Sequence, residues 1–484
     1  MDQVGSLNAL NTGIMDGTTT NYNTREALLK LFDERIAGYA LNDSPELTAM
    51  RREAIAGFAS AGFPHTKMEK WRNTDLTRVL NHDFKFPEAP VMAEVDLEEI
   101  FRCEVPGFDT HMIAQLNGWF IERGAGLSQA AQGVVVCSMA EAFEKYPDII
   151  ASHYGKYAPV KENSLSALNT AFAQDGVFVF VPDNVEVNEI VQIVNLVHSA
   201  DPVFVQPRNL VILGKNSSLR LVHCDDSVDD QVGFINAVSE IVLSENARLD
   251  HYKLQNKNDR SALVNNVFFH LEAGANLSTN AISLNGGLIR NEVYVRLNGR
   301  GSHADILGVY LMDRDQHIDN QVFVDHAVPD CTSNELFKGI LDDQASGVFN
   351  GHILVRKDAQ RTNAYQNNKN ILISDKAVID TKPFLEIYAD DVKCSHGATV
   401  GQLDSEAMFY LRSRGISADN ARMLLMYAFA AEIVNKISIP QLKQRIDDLV
   451  KKRLRGELSI CDQCVLHCNS REQKVSFEID MSKI

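Results

Sequence analysis

Several things are missing from this sequence, and each absence excludes a class of protein. There is no Gly-x-x-x-x-Gly-Lys-[Ser/Thr] string, so the chain does not hold a nucleotide in a P-loop of its own, and the glycines at 299 and 301 lack the strand-to-helix setting of a phosphate cradle. No Gly-x-Ser-x-Gly elbow occurs, which removes the usual hydrolase signature. No Lys/Arg block stands out, and the net charge is −17; an acidic surface repels phosphate and argues against a nucleic-acid partner. No run of about 18 apolar residues suggests a membrane span. The richest stretch, 423–434, is too short and contains Glu432. Residues 1–22 are polar and lack a basic segment followed by an apolar run, so they read as a disordered N-terminus rather than a signal peptide. Of eight cysteines, five (Cys103, Cys137, Cys224, Cys331, Cys394) lie far apart and three cluster near the C-terminus. That is no disulfide framework, and a reducing, cytoplasmic setting is expected.

What is present is a chain of 484 residues with 45% hydrophobic and 23% charged residues, enough for several domains and an unstapled core. Residues 23–180 read as an N-terminal helical and α/β region. Thr24 is placed to cap a helix carrying Leu28, Leu29, Leu31, Phe32 and Ile36, and Ser44-Pro45 starts a second through Ile55 and Phe58. Short apolar strands such as 134–137 alternate with helical stretches such as 139–146.

From 181 to 403 helical periodicity gives way to short alternating segments separated by Gly, Asn, Asp and Ser. A weak repeat shows in Leu213-Gly-Lys-Asn-Ser-Ser-Leu219, Leu243-Ser-Glu-Asn-Ala-Arg-Leu249 and Leu271-Glu-Ala-Gly-Ala-Asn-Leu277. It continues as Leu297-Asn-Gly-Arg-Gly-Ser-His303, where the second leucine is lost. A drifting repeat built of strands and turns fits a β-helix whose coils stack strand on strand; a large β-sandwich is the alternative. Residues 404–455 return to helix. Asp404 caps a first one, ended by Gly415, Ser417 opens a second running to Ile437, and Pro440 opens a third with a basic end at 451–455. The middle helix is apolar almost all round, so it is buried either in its own domain or against a partner. A tail, 456–484, follows.

Three constellations have chemistry. Cys394 and His396 stand at i and i+2; on a strand they share a face, and a thiolate with an imidazole suits Fe²⁺ or Zn²⁺, although a stable site needs three or four ligands. Asp325, His326, Ser333 and Lys338 offer the residue types of a hydrolase triad without any spacing that supports one, and structural hydrogen bonding is the plainer role. In the tail, Cys461-x-x-Cys464-x-x-His467-Cys468 has metal-ligand spacing and is compact enough to reach one ion; an unstructured tail with incidental cysteines is the other reading.

Long strings in the chain match one family. Lys67-Met-Glu-Lys-Trp-Arg-Asn-Thr-Asp-Leu76 resembles the N-terminal signature of SufD proteins. Val348-Phe-Asn-Gly-His352, Ala359-Gln360 and Ala364-Tyr-Gln-Asn-Asn368 are similar to a core block shared by SufD and SufB. Asp390-Asp-Val-Lys-Cys-Ser-His-Gly-Ala-Thr-Val-Gly401 with Phe409-Tyr-Leu-Arg-Ser-Arg-Gly415 is the most SufD-like stretch. The resemblance covers about 63–454. SufB-like chains are expected to carry Cys and a Cys-Gly-Ala-His-type element where this one reads Ser374-Asp-Lys-Ala-Val-Ile-Asp-Thr-Lys-Pro383, so sulfur acceptance is not assigned here.

The resemblance implies a mainly β protein, a right-handed parallel β-helix flanked by an N-terminal helical/α+β region and a C-terminal helical domain. It implies a non-catalytic scaffold of the SUF iron–sulfur cluster assembly machinery, paired with a SufB-like subunit through the β-helix. It implies, too, that a SufC-like ATPase docks on the C-terminal helices. It further implies His396 and, less directly, Cys394 as interface ligands for a transient iron or iron–sulfur cluster, with no cofactor held tightly by the isolated chain. A homodimer of this chain and a polysaccharide-active β-helix enzyme, which needs clustered carboxylates, are the rival readings.

Overall fold

The structure is a computed structural model that describes residues 19–39, 43–88, 110–121, 133–227 and 230–456. Among them the dominant feature is a parallel β-solenoid of about seven turns, flanked by helices at both ends of the sequence. Two ten-stranded sheets face each other, and successive coils contribute one strand to each. Strands 110–116, 135–138 and 177–181 join these sheets, so the stack begins well before residue 181.

The repeat seen in the sequence is the corner between the sheets. Asn184, Asn216, Asn246 and Gly274 each take a left-handed conformation there, with φ of 61°, 54°, 58° and 66°. Asparagine tolerates that region and glycine enters it freely. The asparagines also form a ladder: Asn216 donates to Asn184 at 2.9 Å and Asn246 to Asn216 at 3.1 Å. It ends at Gly274, where a Cβ would stand 2.3 Å from the Asn246 oxygen. Leu213, Leu243, Leu271 and Leu297 enter the corner, while Leu219, Leu249 and Leu277 leave it, all buried in the interior. In the fourth corner the loop is one residue longer. Leu277 pairs with Ala304, not His303, and Ala304 takes the interior place that the missing leucine vacates.

Both outer faces of the middle coils are covered, which is why polar/apolar alternation is weak there. One sheet packs Val222, Tyr252, Leu254, Ile282, Val309 and Leu311 against Met426, Ile433, Leu442 and Ile446 of the C-terminal helices. The opposite sheet packs Phe234, Val264 and Leu288 against Leu28, Phe32, Phe58 and Leu168 of the N-terminal helices. Each such side chain contributes about 1.5–3 kcal/mol by leaving water.

The helices start where local chemistry dictates. Ser44 accepts from Leu47 N at 3.2 Å ahead of Pro45–Ala61. Asp404 accepts from Glu406 N and Ala407 N at 2.9 and 3.0 Å ahead of Ser405–Ser413. Ser417 caps Ala418–Val434, and Pro440 opens Pro440–Leu454. Thr24 differs from expectation: the first helix runs Thr19–Tyr39, so Thr24 lies inside it and its hydroxyl instead bonds Leu80 O at 3.4 Å.

The 67–76 string is a clamp. Trp71 lies over the guanidinium of Arg290, 3.7 Å from its ring centroid, and Arg290 is fully buried between Glu292 and Asp319. Thr74 donates to Asp319 and also meets His317 Nε2 at 2.9 Å, while Glu69 pairs with Lys382 at 2.7 Å. Desolvation disfavours the Arg290 charge, and its two carboxylate partners more than offset that, keeping the guanidinium protonated.

Candidate functional site at the open end of the solenoid

The stack stops abruptly. Val378–Ile387 and Val392–Gly401 are the last strands of their sheets, each hydrogen-bonded on one side only. Among the described residues, six of the nine large hydrophobic residues that stand exposed belong to this end: Tyr365, Val378, Phe384, Ile387, Tyr388 and Val400. Two more, Phe409 and Tyr410, lie on the helix Ser405–Ser413 that follows directly and has no buried residue. Unpaired strand edges flanked by apolar side chains form a surface that a partner can complete.

Cys394 and His396 are on this final strand. Their register partners on the coil beneath are Ala364 and Gln366, both interior residues, so the pair sits over the hollow of the solenoid at its mouth. Cys394 packs against the interior cluster and is half-buried, and that burial pushes its thiol up, keeping it protonated. His396 is exposed. Among the described residues no group of three or more His, Cys, Asp or Glu side chains is placed to hold a metal, so these two donors do not by themselves make a metal site. Cys461, Cys464, His467 and Cys468 lie outside the described residues.

Below the mouth the interior column turns polar. Gln366 donates to Glu335 at 2.8 Å, and both are buried. Burial pushes the Glu335 carboxyl up to about 8, with only the Gln366 hydrogen bond opposing it. Next to it, Tyr310 donates to Asn370, Asn370 donates to Asn368 at 2.6 Å, and Thr381 donates to Asn368 at 2.8 Å. None of these residues stood out in the sequence. The signal that would find them is the shared inward parity of 335, 366 and 396, which needs the register of strands about one coil apart.

His326 and Ser333 do meet, at 2.9 Å, across one turn of the coil. Asp325 faces the other way and is bound by Arg356 through two contacts of 2.8 Å, as strand alternation requires. With Ser333 and His326 both fully buried, this is internal hydrogen bonding and no triad. Lys338 anchors the C-terminal helices: it donates to Phe429 O at 3.0 Å, lies 4.3 Å from the Phe429 ring centroid and pairs with Glu432. Asp342 and Asp343 are turn residues, Asp342 accepting from Asp343 N and Asp343 from Arg314 N.

An aromatic ladder climbs the outside of the sheet facing the N-terminal region. Phe268, Tyr294, Phe323, His352 and Phe384 are in register, with centroids 4.8, 6.1, 4.9 and 4.8 Å apart. It walls a groove of about 1070 Å³ that Lys70, Lys156 and Arg296 also line. The ladder ends at the same open coil, on the exposed ring of Phe384.

Comparison with known proteins agrees with this architecture. Residues 196–429 match the family described as the SUF system FeS cluster assembly SufBD core domain, and residues 22–193 match the SufBD N-terminal region. An iron–sulfur cluster assembly SufBD family protein of Synechocystis is 32% identical over 418 residues, covering 84% of this chain and 91% of that protein. SufD of Escherichia coli is 38% identical over 230 residues, covering 48% of this chain and 54% of its own length. SufD of Bacillus subtilis is 27% identical over 327 residues, 67% of this chain and 75% of that one. A solenoid of this form, matched along nearly its whole length and closest in its motifs to the SufD branch, belongs to the SufB/SufD family of the SUF iron–sulfur cluster assembly system.

Proposed function

We propose that this chain is a non-catalytic scaffold subunit of a SUF assembly complex and that its open coil pairs with a SufB-like subunit. The observation that carries this reading is the position of Cys394 and His396 on a terminal strand with one open edge, ringed by exposed apolar residues. A second solenoid end, brought edge to edge, would continue the backbone ladder and cover Val378, Phe384, Tyr388 and Val400. It would also supply the remaining ligands. His396, with Cys394 behind it, then holds iron or a nascent iron–sulfur cluster as cargo at the interface, released to a recipient and not retained. A second copy of this chain could occupy the same edge, and a homodimer is therefore the competing assembly.

The helices from Ser405 to Leu454 are the docking element for a SufC-like ATPase in this reading, supported by the exposure of Phe409 and Tyr410. Nucleotide chemistry comes from that partner, because the sequence has no P-loop. Lys338 and Arg453 tie these helices to the solenoid, Arg453 donating to Leu284 O and Asp313 Oδ1 at 2.7 Å each, so motion imposed on the helices reaches the coils beneath the site. Cys461, Cys464, His467 and Cys468 are proposed as a separate, auxiliary metal-binding set.

The test is affinity recovery of the tagged full chain with identification of what stays bound, followed by light scattering. A P-loop ATPase and a second solenoid subunit are expected. If the chain comes back only as copies of itself from cells that express both partners, the heteromeric assembly is wrong. His396→Ala should leave the complex intact and abolish cluster formation on it.

A further inference from the structure

The interior column below His396 holds a buried acceptor with no donor. His396, Gln366 and Glu335 are successive members of one row, paired Cα to Cα from strand to strand. Side chains at directly paired positions on one face are neighbours. Gln366 is 3% exposed, and its amide nitrogen is used in the 2.8 Å bond to Glu335. Its carbonyl oxygen, Oε1, is buried without a hydrogen-bond partner among the described residues. A buried acceptor left unpaired loses its water without replacement, so its persistence calls for a donor.

The facing sheet makes room for this amide. A Cβ on Gly351 would lie 2.0 Å from Gln366 Nε2, closer than any real contact, so any larger residue at 351 would force the Gln366 amide out of its present position. Glu335 below fixes which end of the amide is committed: the nitrogen is bound to the acid, and the oxygen is left to take a donor from elsewhere. The next residue upward in the row is His396.

We propose that Gln366, oriented by Glu335, is the positioning residue for His396: its carbonyl accepts an imidazole N–H, fixes the ring's tautomer and aims the other nitrogen at the cargo. This inference rests on the reading of His396 as an interface ligand. Metal-binding histidines commonly donate their second N–H to a carbonyl or carboxylate, and losing that outer partner costs about 10–100-fold in metal affinity. The buried amide supplies such a partner from within this chain, leaving the exposed side of the ring to the iron and the neighbouring subunit.

The test has two readouts. Full-length protein labelled at its histidines is measured by NMR, with the His396 resonance assigned by His396→Ala. One tautomer is expected to predominate in the natural chain, to average out in Gln366→Leu and Glu335→Leu, and to survive in Glu335→Gln, which keeps the acceptor that orients Gln366. In the complex purified with its partners, anaerobic Fe(II) binding should weaken about 10–100-fold in Gln366→Leu and remain near normal in Glu335→Gln. Gly351→Ala displaces Gln366 from the opposite wall and should reproduce the loss even if Gln366→Leu folds poorly. Identical His396 spectra in the natural chain and all these variants would overturn the proposal. Iron binding that survives His396→Ala would remove the ligand reading itself, and the positioning role with it. Binding lost in His396→Ala but unchanged in Gln366→Leu would remove the positioning role alone.

Discussion

The strand Gly233–Leu243 is buried at every position, whereas Val378–Ile387, further along the same sheet, is fully buried at none. Both contain isoleucine, valine, leucine and phenylalanine, so composition does not separate them. The earlier strand has a neighbour on each edge, the interior on one face and the N-terminal helices on the other. The later one has a single neighbouring strand, and the N-terminal region reaches it through the Glu69–Lys382 ion pair. Pro383, which lacks an N–H, sits where an edge strand tolerates it. What differs is the cover, and an uncovered apolar coil that also carries a thiol and an imidazole has the character of half an interface.

The comparison breaks most visibly in the core. Phe349 is fully buried inside the solenoid, its ring tilted 45° to that of Phe337 with centroids 5.0 Å apart, while Phe384 is 45% exposed. Phe349→Ala should cost about 3–5 kcal/mol and Phe384→Ala under about 1 kcal/mol in chemical denaturation of the isolated chain. Equal losses would mean that the last coil is packed as tightly as the middle.

How much of this was legible follows the same divide. Ser44, Asp404, Ser417 and Pro440 were readable because a cap depends on residues three or four positions away. The Leu and Asn corners were readable because each coil repeats them. The hidden parts depend on register: Ala304 replaces a leucine only because one corner is longer, and Lys338 meets Phe429 and Glu432 across 91 residues or more. Cys394 and His396 were visible as a same-face pair, but Gln366, Glu335 and Gly351 gain meaning only once strands are stacked. Asp325 could have been excluded from a triad with His326 by alternation alone.

Glu335 tests the boundary between the sealed coils and the open one. Its folded value of about 8 stands above the ordinary 4.5, so folding takes up a proton between those values. Its contribution to stability is complete below about 4.5 and is lost as pH rises through about 8. The slope is at most about 1.4 kcal/mol per pH unit across that window. Glu335→Gln should flatten the fall and be more stable than the natural chain above pH 8, checked by denaturation midpoints from pH 5 to 9. Parallel curves for the two proteins would place water, and not packed interior, around this carboxyl.

A smaller effect is expected where the helices meet the solenoid. Lys338→Met keeps the stem but deletes the bonds to Phe429 O and Glu432. About 1–3 kcal/mol should be lost, and limited proteolysis should cut first near 402–417. Unchanged digestion would assign the hold to the apolar contacts of Met426, Ala430 and Ile433 with the sheet and to the bonds of Arg453.

The smallest effect on stability should come from the end coil, and there the comparison is sharpest. Val378→Lys or Tyr388→Ser alters a side chain that is 53% or 61% exposed, so the isolated chain should change by no more than about 0.5 kcal/mol. The same lysine placed at Val238, buried on the covered strand, should prevent folding because a charge there has neither water nor partner. If the end coil is half of an interface, Val378→Lys should nonetheless lose its solenoid partner in affinity recovery, because the charge would be desolvated on assembly. A substitution silent in the free chain and disruptive only in the complex separates a docking surface from a solvated one, and retention of the partner by both variants would show that this coil is not where the second subunit binds.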